Sequence, residues 1–278
     1  MEIKENSLQQ KLQALKEYIT GLGALAVGFS GGVDSSLLLA VAAETLGEKA
    51  LAITAESPFN PLREMEEAKA FCKKRGIRHV ILKADPLEND IIRSNPPDRC
   101  YHCKKMIFSG IKEAAKENGI KYIAEGSNMD DMGDYRPGFK AVEEMHIVSP
   151  LRKAGLYKAE IRELARIMGL ETWDKPAYAC LATRIAYGEE ITAEKLRMIE
   201  LAESGLMSQG FPICRVRLHG SIARVEVPEK DIARFADDSL RTEMYEYLKS
   251  LGFTYITLDM KGFSSGSMNM VLNNKKGL

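Results

Sequence analysis

Apolar residues recur along the chain in two different periods, and the alternation between them marks out successive elements. Leu8, Leu12, Leu15, Ile19 and Leu22 stand at helical spacing after Ser7, and Gln10 three residues beyond that serine completes a capping box, so an amphipathic helix is predicted to start there. Residues 24–29 are an unbroken small apolar run, as expected of a strand buried on both faces. Leu37, Leu38, Leu39 and Val41, among good helix formers from Ser35 onward, predict a helix directly after it. Residues 50–55 form a second such strand, and Asn60-Pro61 opens a helix that Gly76 stops. Strands are predicted at 79–82, 122–125 and 147–151, with helices at 104–118 and 158–168 and a turn at Arg136-Pro137-Gly138 before a short helix.

Strand and helix alternate throughout this part, which predicts an α/β fold: a parallel sheet with helices on both faces. From Glu171 the pattern changes. ETWDKPAYACLATRIAYGEEIT has little regular period, and Pro176 breaks any helix within it. Thr192 caps a helix to about residue 204, and residues 214–218 and 223–227 alternate as a hairpin around His219-Gly220-Ser221. Helices near 230–235 and 240–251 and a strand at 255–258 complete a small α+β domain. The expected organisation is therefore a nucleotide-type domain over 1–170 and a second domain over 171–278.

Composition narrows the possibilities. The 39 basic and 39 acidic side chains balance, which argues against nucleic acid as a partner. Apolar runs are too short for a membrane span and MEIKENSLQQ lacks a leader's apolar core, so the expected location is cytoplasmic with no membrane partner. Five cysteines in a reducing compartment are not a disulfide framework. Cys72 and Cys214 are expected to be packed. Cys100 and Cys103 are expected to be structural or substrate-lining, because no second CxxC completes a four-ligand metal site.

The first chemistry lies between the first sheet strand and its helix. The strand ends at Gly28-Phe29, and SGGVDS turns it straight into the helix, so several backbone N–H groups point one way and the helix dipole adds positive potential. That is an anion cradle, with Gly31 and Gly32 permitting close approach and Ser30 and Ser35 adding hydroxyls. No GxxxxGK[ST] is present here, so the loop is not of the Walker type. Thr54 ends the second strand on the same carboxyl edge of the sheet, where ligands of such folds collect, and Gly126 follows the fourth. Cys180 is the one cysteine of the irregular stretch, with Lys175 before it and Arg184 after it. Cations favour the reactive thiolate, although a packed cysteine fits composition equally well. Arg215 and Arg217 share one strand face and suit a phosphate or carboxylate, with cross-strand pairing to Glu226 as the alternative.

SGGVDS behind a strand resembles the signature of the ATP-pyrophosphatase (PP-loop) superfamily, whose sheet is of the adenine nucleotide alpha hydrolase type. That resemblance implies ATP cleavage between the α and β phosphates, Asp34 as a Mg2+ ligand, Ser30, Gly31, Gly32 and Ser35 around the phosphates, and Gly126 beside the nucleotide. With DRCYHCKK, KPxxxCLATRI, RVRLHG and ARVEV added, nearly the whole chain resembles the LarE family of sulfurtransferases, which serve the nickel-pincer nucleotide of lactate racemase. The resemblance implies adenylation of a carboxylate of pyridinium-3,5-biscarboxylic acid mononucleotide, and sulfur given up by Cys180, which becomes dehydroalanine. It further implies substrate binding by Arg184, Arg215 and Arg217, and a metal or subunit-contact role for Glu203 and Glu226. A homo-oligomer, a hexamer in relatives, and hand-over to a nickel-inserting enzyme also follow from it. Cluster-bearing relatives have extra cysteines near the C-terminus; residues 262–269 here carry serines, which favours the sacrificial route.

Three other classes compete. An amide-forming synthetase of the NAD or GMP kind has no evident use for the cysteine, and a transfer-RNA thiolase is expected to carry an RNA-binding domain or excess positive charge. A non-catalytic ATP-binding module has no need of an intact loop together with Cys180.

Overall fold

Four of the predicted apolar runs form one parallel sheet in the computed structural model, which describes residues 2–133, 138–176 and 179–264. In chain order the first part contains α1 (Glu2–Leu22), β1 (Leu25–Gly28), α2 (Val33–Leu46), β2 (Ala50–Glu56), α3 (Leu62–Arg75) and β3 (Arg78–Lys83). It continues with α4 (Asp90–Arg93), α5 (Arg99–Glu117), β4 (Tyr122–Ala124), α6 (Gly138–Glu144), α7 (Pro150–Lys153) and α8 (Lys158–Ile167). The strand order is β3-β2-β1-β4.

Alternation along β1 and β2 explains why both are apolar throughout. Leu25, Val27, Ala50 and Ala52 pack with Leu15, Leu37, Leu38, Ile161 and Leu164 from α1, α2 and α8. Ala26, Leu51 and Ile53 face the other way, onto Phe108, Ile111 and Ala115 of α5 and Val142 of α6. Each strand residue thus enters one of two cores, and the sheet is covered on both sides.

The second part is built on α9 (Ala193–Ser208), β5 (Arg215–His219), β6 (Ile222–Glu226), α10 (Glu229–Ile232), α11 (Asp238–Ser250) and β7 (Tyr255–Leu258). Its sheet, in order β5-β6-β7, pairs β5 and β6 antiparallel through the expected tight hairpin, while β7 runs parallel to β6. Thr192 caps α9 by accepting from the Lys195 N–H at 3.2 Å. Gly205 lets α9 and α11 meet, since a Cβ there would lie 2.2 Å from the Tyr247 ring.

The chain forms two compact units, residues 1–85 with 98–178, and residues 86–97 with 179–278. The 86–97 segment, which the expected 1–170 boundary puts in the first domain, belongs to the second unit. Several other expectations shift. α1 starts before Ser7, and α5 starts at Arg99, so both cysteines of the CxxC are helical. No full strand forms at 147–151: Val148 makes a single parallel bridge to Ala124, and Pro150, favourable at a helix start, opens α7. The helix predicted at 230–235 is the single turn α10 followed by a 3-10 turn over Ala233–Ala236. Residues 136–137 of the predicted turn, and 265–269 of the serine-bearing stretch, lie outside the described residues. Among the described residues no helix is long and apolar enough to cross a membrane.

Candidate active site

The first unit's site is assembled at the carboxyl edge of its sheet. β1 ends at Gly28, and Gly31 turns the chain with a φ of +72°, a conformation that glycine adopts without a Cβ clash. α2 then begins with Gly32 as N-cap and no side chain capping it, which leaves its first-turn amides to a ligand. Ser30 and Ser35 face one another across the loop with hydroxyl oxygens 3.1 Å apart, and the Ser35 hydroxyl donates to the Gly32 carbonyl at 3.1 Å. The predicted cradle residues are therefore together.

Gly126 closes the cradle from β4. A Cβ on it would lie 3.0 Å from the Ser35 nitrogen and 3.3 Å from the Asp34 Cβ, so only glycine lets this loop press on the first turn of α2. The loop is held by buried Glu125, which accepts from the Ser127 amide at 3.1 Å and from the Ser127 and Ser149 hydroxyls at 2.6 Å each. Asp34 accepts from the Asn128 side-chain amide at 3.2 Å on one oxygen and from Lys158, an ion pair, on the other.

Phe29 and Thr54 take part indirectly. The Phe29 ring is buried against Phe71 and His79, with centroids 5.3 and 6.2 Å away. Thr54 is buried too, and its hydroxyl donates to the Phe29 carbonyl at 2.8 Å. That hydroxyl therefore accepts from His79 Nε2, 2.8 Å away, so the imidazole carries its proton on that nitrogen. Burial, then the charge of Lys69, pushes His79 below the ordinary histidine range and keeps it neutral. Both residues brace the strand end from which the loop departs.

Three contributors were not singled out from the sequence: Asn128 and Glu125, which lie in the EGSN loop that the resemblance sets beside the nucleotide through Gly126, and Lys158. Lys158 has the faintest trace, a cation at a helix N-terminus, where the dipole prefers carboxylates.

In the second unit, Cys180 is half-buried and is the N-cap of a 3-10 turn, Leu181–Arg184. Its carbonyl accepts from the Thr183 amide at 2.9 Å, the Thr183 hydroxyl at 2.7 Å and Arg184 Nη1 at 3.1 Å. Arg184 thus holds the main chain of the cysteine, and its other nitrogens form a two-pronged pair with Glu203, 2.9 Å on each side, at 1 % exposure. Glu203 also accepts from the Val216 amide at 3.0 Å, which ties the cysteine turn to β5. Lys175 is occupied on the first unit, donating to the Gly31 carbonyl at 3.0 Å and pairing with Glu67.

Arg217 pairs with Glu226 at 3.0 Å and donates to the Thr183 carbonyl at 3.1 Å, and Arg224 pairs with both Glu226 and Asp259. Arg215 donates to the Cys214 carbonyl at 2.6 Å and lies over the Phe263 ring. Burial, then the neighbouring charge of Arg184, pulls Arg215 below the ordinary arginine range. Cross-strand pairing with Glu226, the alternative reading for these arginines, is what Arg217 does. Glu203 and Glu226, the residues expected to serve a metal or a subunit contact, have their carboxylates engaged by the guanidinium groups of Arg184 and of Arg217 and Arg224. Cys72 and Cys214 are buried as expected, and burial pushes the Cys72 thiol up to about 12.

A parallel sheet, a glycine-turned cradle ahead of α2 and a facing glycine on the next loop define a PP-loop enzyme, one that uses ATP. The family model for NAD synthase matches residues 7–98. The chain is 37% identical over 267 residues, 96% of each chain, to the pyridinium-3,5-bisthiocarboxylic acid mononucleotide synthase of Lactiplantibacillus plantarum. It is 39% identical over 265 residues to an uncharacterized protein of Synechocystis, covering 95% of this chain and 99% of that one. Similarity to the ammonia-dependent NAD(+) synthetase of Aeropyrum pernix is 27% over 206 residues, 70% of this chain and 71% of that one. The chain belongs to the LarE family, that of the pyridinium-3,5-bisthiocarboxylic acid mononucleotide synthases.

Proposed function

We propose that this enzyme uses ATP to adenylate a carboxylate of pyridinium-3,5-biscarboxylic acid mononucleotide and then gives that carbon the sulfur of Cys180. The observation that carries the reading is the turn at Cys180. Among the cysteines it alone heads a turn whose main chain is fixed by a buried Arg184–Glu203 pair, in a chain that also has an intact phosphate cradle.

The carboxylate oxygen attacks the α phosphorus, and pyrophosphate leaves with the bonding pair. The cradle formed by Ser30, Gly31, Gly32 and Ser35, with Gly126 packed against it, would take the growing negative charge. Asp34 fits a magnesium ion, which usually takes one or two carboxylates and completes its shell from substrate phosphates. Mg2+ would neutralise the leaving pyrophosphate. Lys158, now on Asp34, is placed to share that work by turning to the phosphates.

The Cys180 thiolate then attacks the acyl carbon and AMP leaves with its pair, giving a thioester. Loss of the Cys180 Cα proton to a base turns the C–H pair into a Cα–Cβ double bond as the Cβ–S bond breaks. Sulfur keeps the pair of the Cβ–S bond, which leaves a thiocarboxylate on the product and dehydroalanine at position 180. Arg215 and Arg217 are our candidates for the substrate phosphate, and the crowding of guanidiniums around Arg215 is what an anion would relieve. Assembly as a hexamer and transfer of the product to a nickel-inserting enzyme are carried by the family resemblance.

Incubation with MgATP and the biscarboxylate nucleotide should lower the protein mass by about 34 Da, the mass of hydrogen sulfide, localised to residue 180. Cys180→Ala should still release pyrophosphate and form no thiolated product. Thiolated product from a protein of unchanged mass would overturn the sacrificial route.

A further inference from the structure

Residues 173–175 are strapped to the first unit at both main chain and side chain. Arg162 of α8 donates Nη1 to the Trp173 carbonyl at 2.6 Å and Nη2 to the Lys175 carbonyl at 2.8 Å. The Lys175 side chain, 13 % exposed, runs to the phosphate loop, where its ammonium donates to the Gly31 carbonyl at 3.0 Å and pairs with Glu67 of α3 at 2.5 Å. Gly31 is the residue whose positive φ makes the turn of the cradle, so the carbonyl that Lys175 holds belongs to the turn itself. Past Lys175 the chain passes through Pro176 and reaches Cys180 five residues on.

We infer that Lys175 is a positioning residue that couples the phosphate loop to the segment carrying the thiol. The inference rests on the sulfur-donor reading of Cys180. Five residues span at most about 18 Å, so the point at which Lys175 is pinned limits where the sulfur can travel. Because the turn at Cys180 is itself held, releasing the pin loosens the tie between that turn and the phosphate loop and lowers the thiol's effective concentration at an activated acyl group. The sulfur takes no part in adenylation, so loss of the strap weighs more on the second step than on the first. Glu67 and the Gly31 carbonyl share the ammonium, so the contact ties the segment to α3 and to the loop together.

Two measurements on Lys175→Gln and Lys175→Arg test this. ATP–pyrophosphate exchange reads the first step, and the single-turnover rate of the 34 Da loss reads the second. Lys175→Gln should slow the mass loss by at least about tenfold more than it slows exchange, and Lys175→Arg should recover most of that difference. Equal slowing of both steps, or no slowing of the second, overturns the coupling. Hydrogen exchange of residues 173–175 gives an independent readout. A non-hydrolysable ATP analogue should protect these amides in the wild type and not in Lys175→Gln; the same protection in both overturns the strap. Wild-type protein that forms product without losing mass overturns the sulfur-donor reading, and the hydrogen-exchange comparison still decides whether loop and segment are coupled.

Discussion

At the scale of single residues, the site depends on groups that are small as much as on groups that react. Gly126 is the clearest case. Its missing Cβ is what allows the loop after β4 to lie on the first turn of α2, with backbone nitrogen and not a pliable side chain on the other side. Gly126→Ala should therefore push either the loop or the helix start outward, costing about 1–3 kcal/mol of stability as overpacked sites do. ATP–pyrophosphate exchange should fall by at least about tenfold, because displacement of even an ångström is costly at a positioned site. Exchange at the wild-type rate, with a structure unchanged at Ser35, would remove Gly126 from the cradle. The glycines and serines of the loop were legible in the sequence because their chemistry is local, fixed by spacing within six residues. Asn128 and Lys158 were not. They reach Asp34 from 94 and 124 residues away, and no local pattern pairs either of them with it.

Among elements, the strand ends carry the information. β1 and β2 were readable as buried strands because both of their faces enter a core, whereas 147–151 has comparable apolar content but only one residue bridged to the sheet. Apolar content reports burial, and the proline at 150 decides which element is buried. The β1 end is also held by a polar chain, His79 to Thr54 to the Phe29 carbonyl, that needs a neutral imidazole donating through Nε2. His219 is likewise kept neutral, by burial first and then by Arg224, whose Nε donates to its Nε2 at 3.3 Å. Both folded-state values lie below that of the unfolded chain. Unfolded chain thus takes up protons as the pH falls through about 6.5 while folded protein does not, and this share of stability is complete above that pH and drains away below it. The melting temperature should decline from pH 7 to pH 5, ahead of the acid limb caused by carboxylates such as Glu163, whose ordinary value is 4.5. A His79→Gln, His219→Gln double variant should flatten the decline over that interval. An unaltered slope would show that neither ring stays neutral for the reason given.

For the whole molecule, what sequence pattern could not convey is that one unit is completed by a segment from within the other. Hydrophobic periodicity orders elements along the chain, but it says nothing about a stretch such as 86–97, which has too few residues in α4 to announce its destination. Its contacts are specific. Asn95, fully buried, gives its side-chain amide to the carbonyls of Ile185 and Ala186 at 3.2 and 2.8 Å, and its own carbonyl accepts from the Gly188 amide at 2.9 Å. The Arg93 carbonyl accepts from the Ile191 amide at 2.8 Å, and Ile92 is buried completely. Without the segment, these partners face water in part and cavity in part. Burying Ile92 alone is worth about 1.5–3 kcal/mol, a large part of what a unit of this size has to spare. A fragment of residues 171–278 should therefore be only marginally folded, with broad melting and poorly dispersed amide spectra. A peptide of residues 86–97 added in trans should raise its melting temperature in a concentration-dependent way, and the same peptide with Asn95→Ala should raise it less. A sharp, peptide-independent transition in the fragment would mean that the second unit closes its own core and that 86–97 merely rests on it.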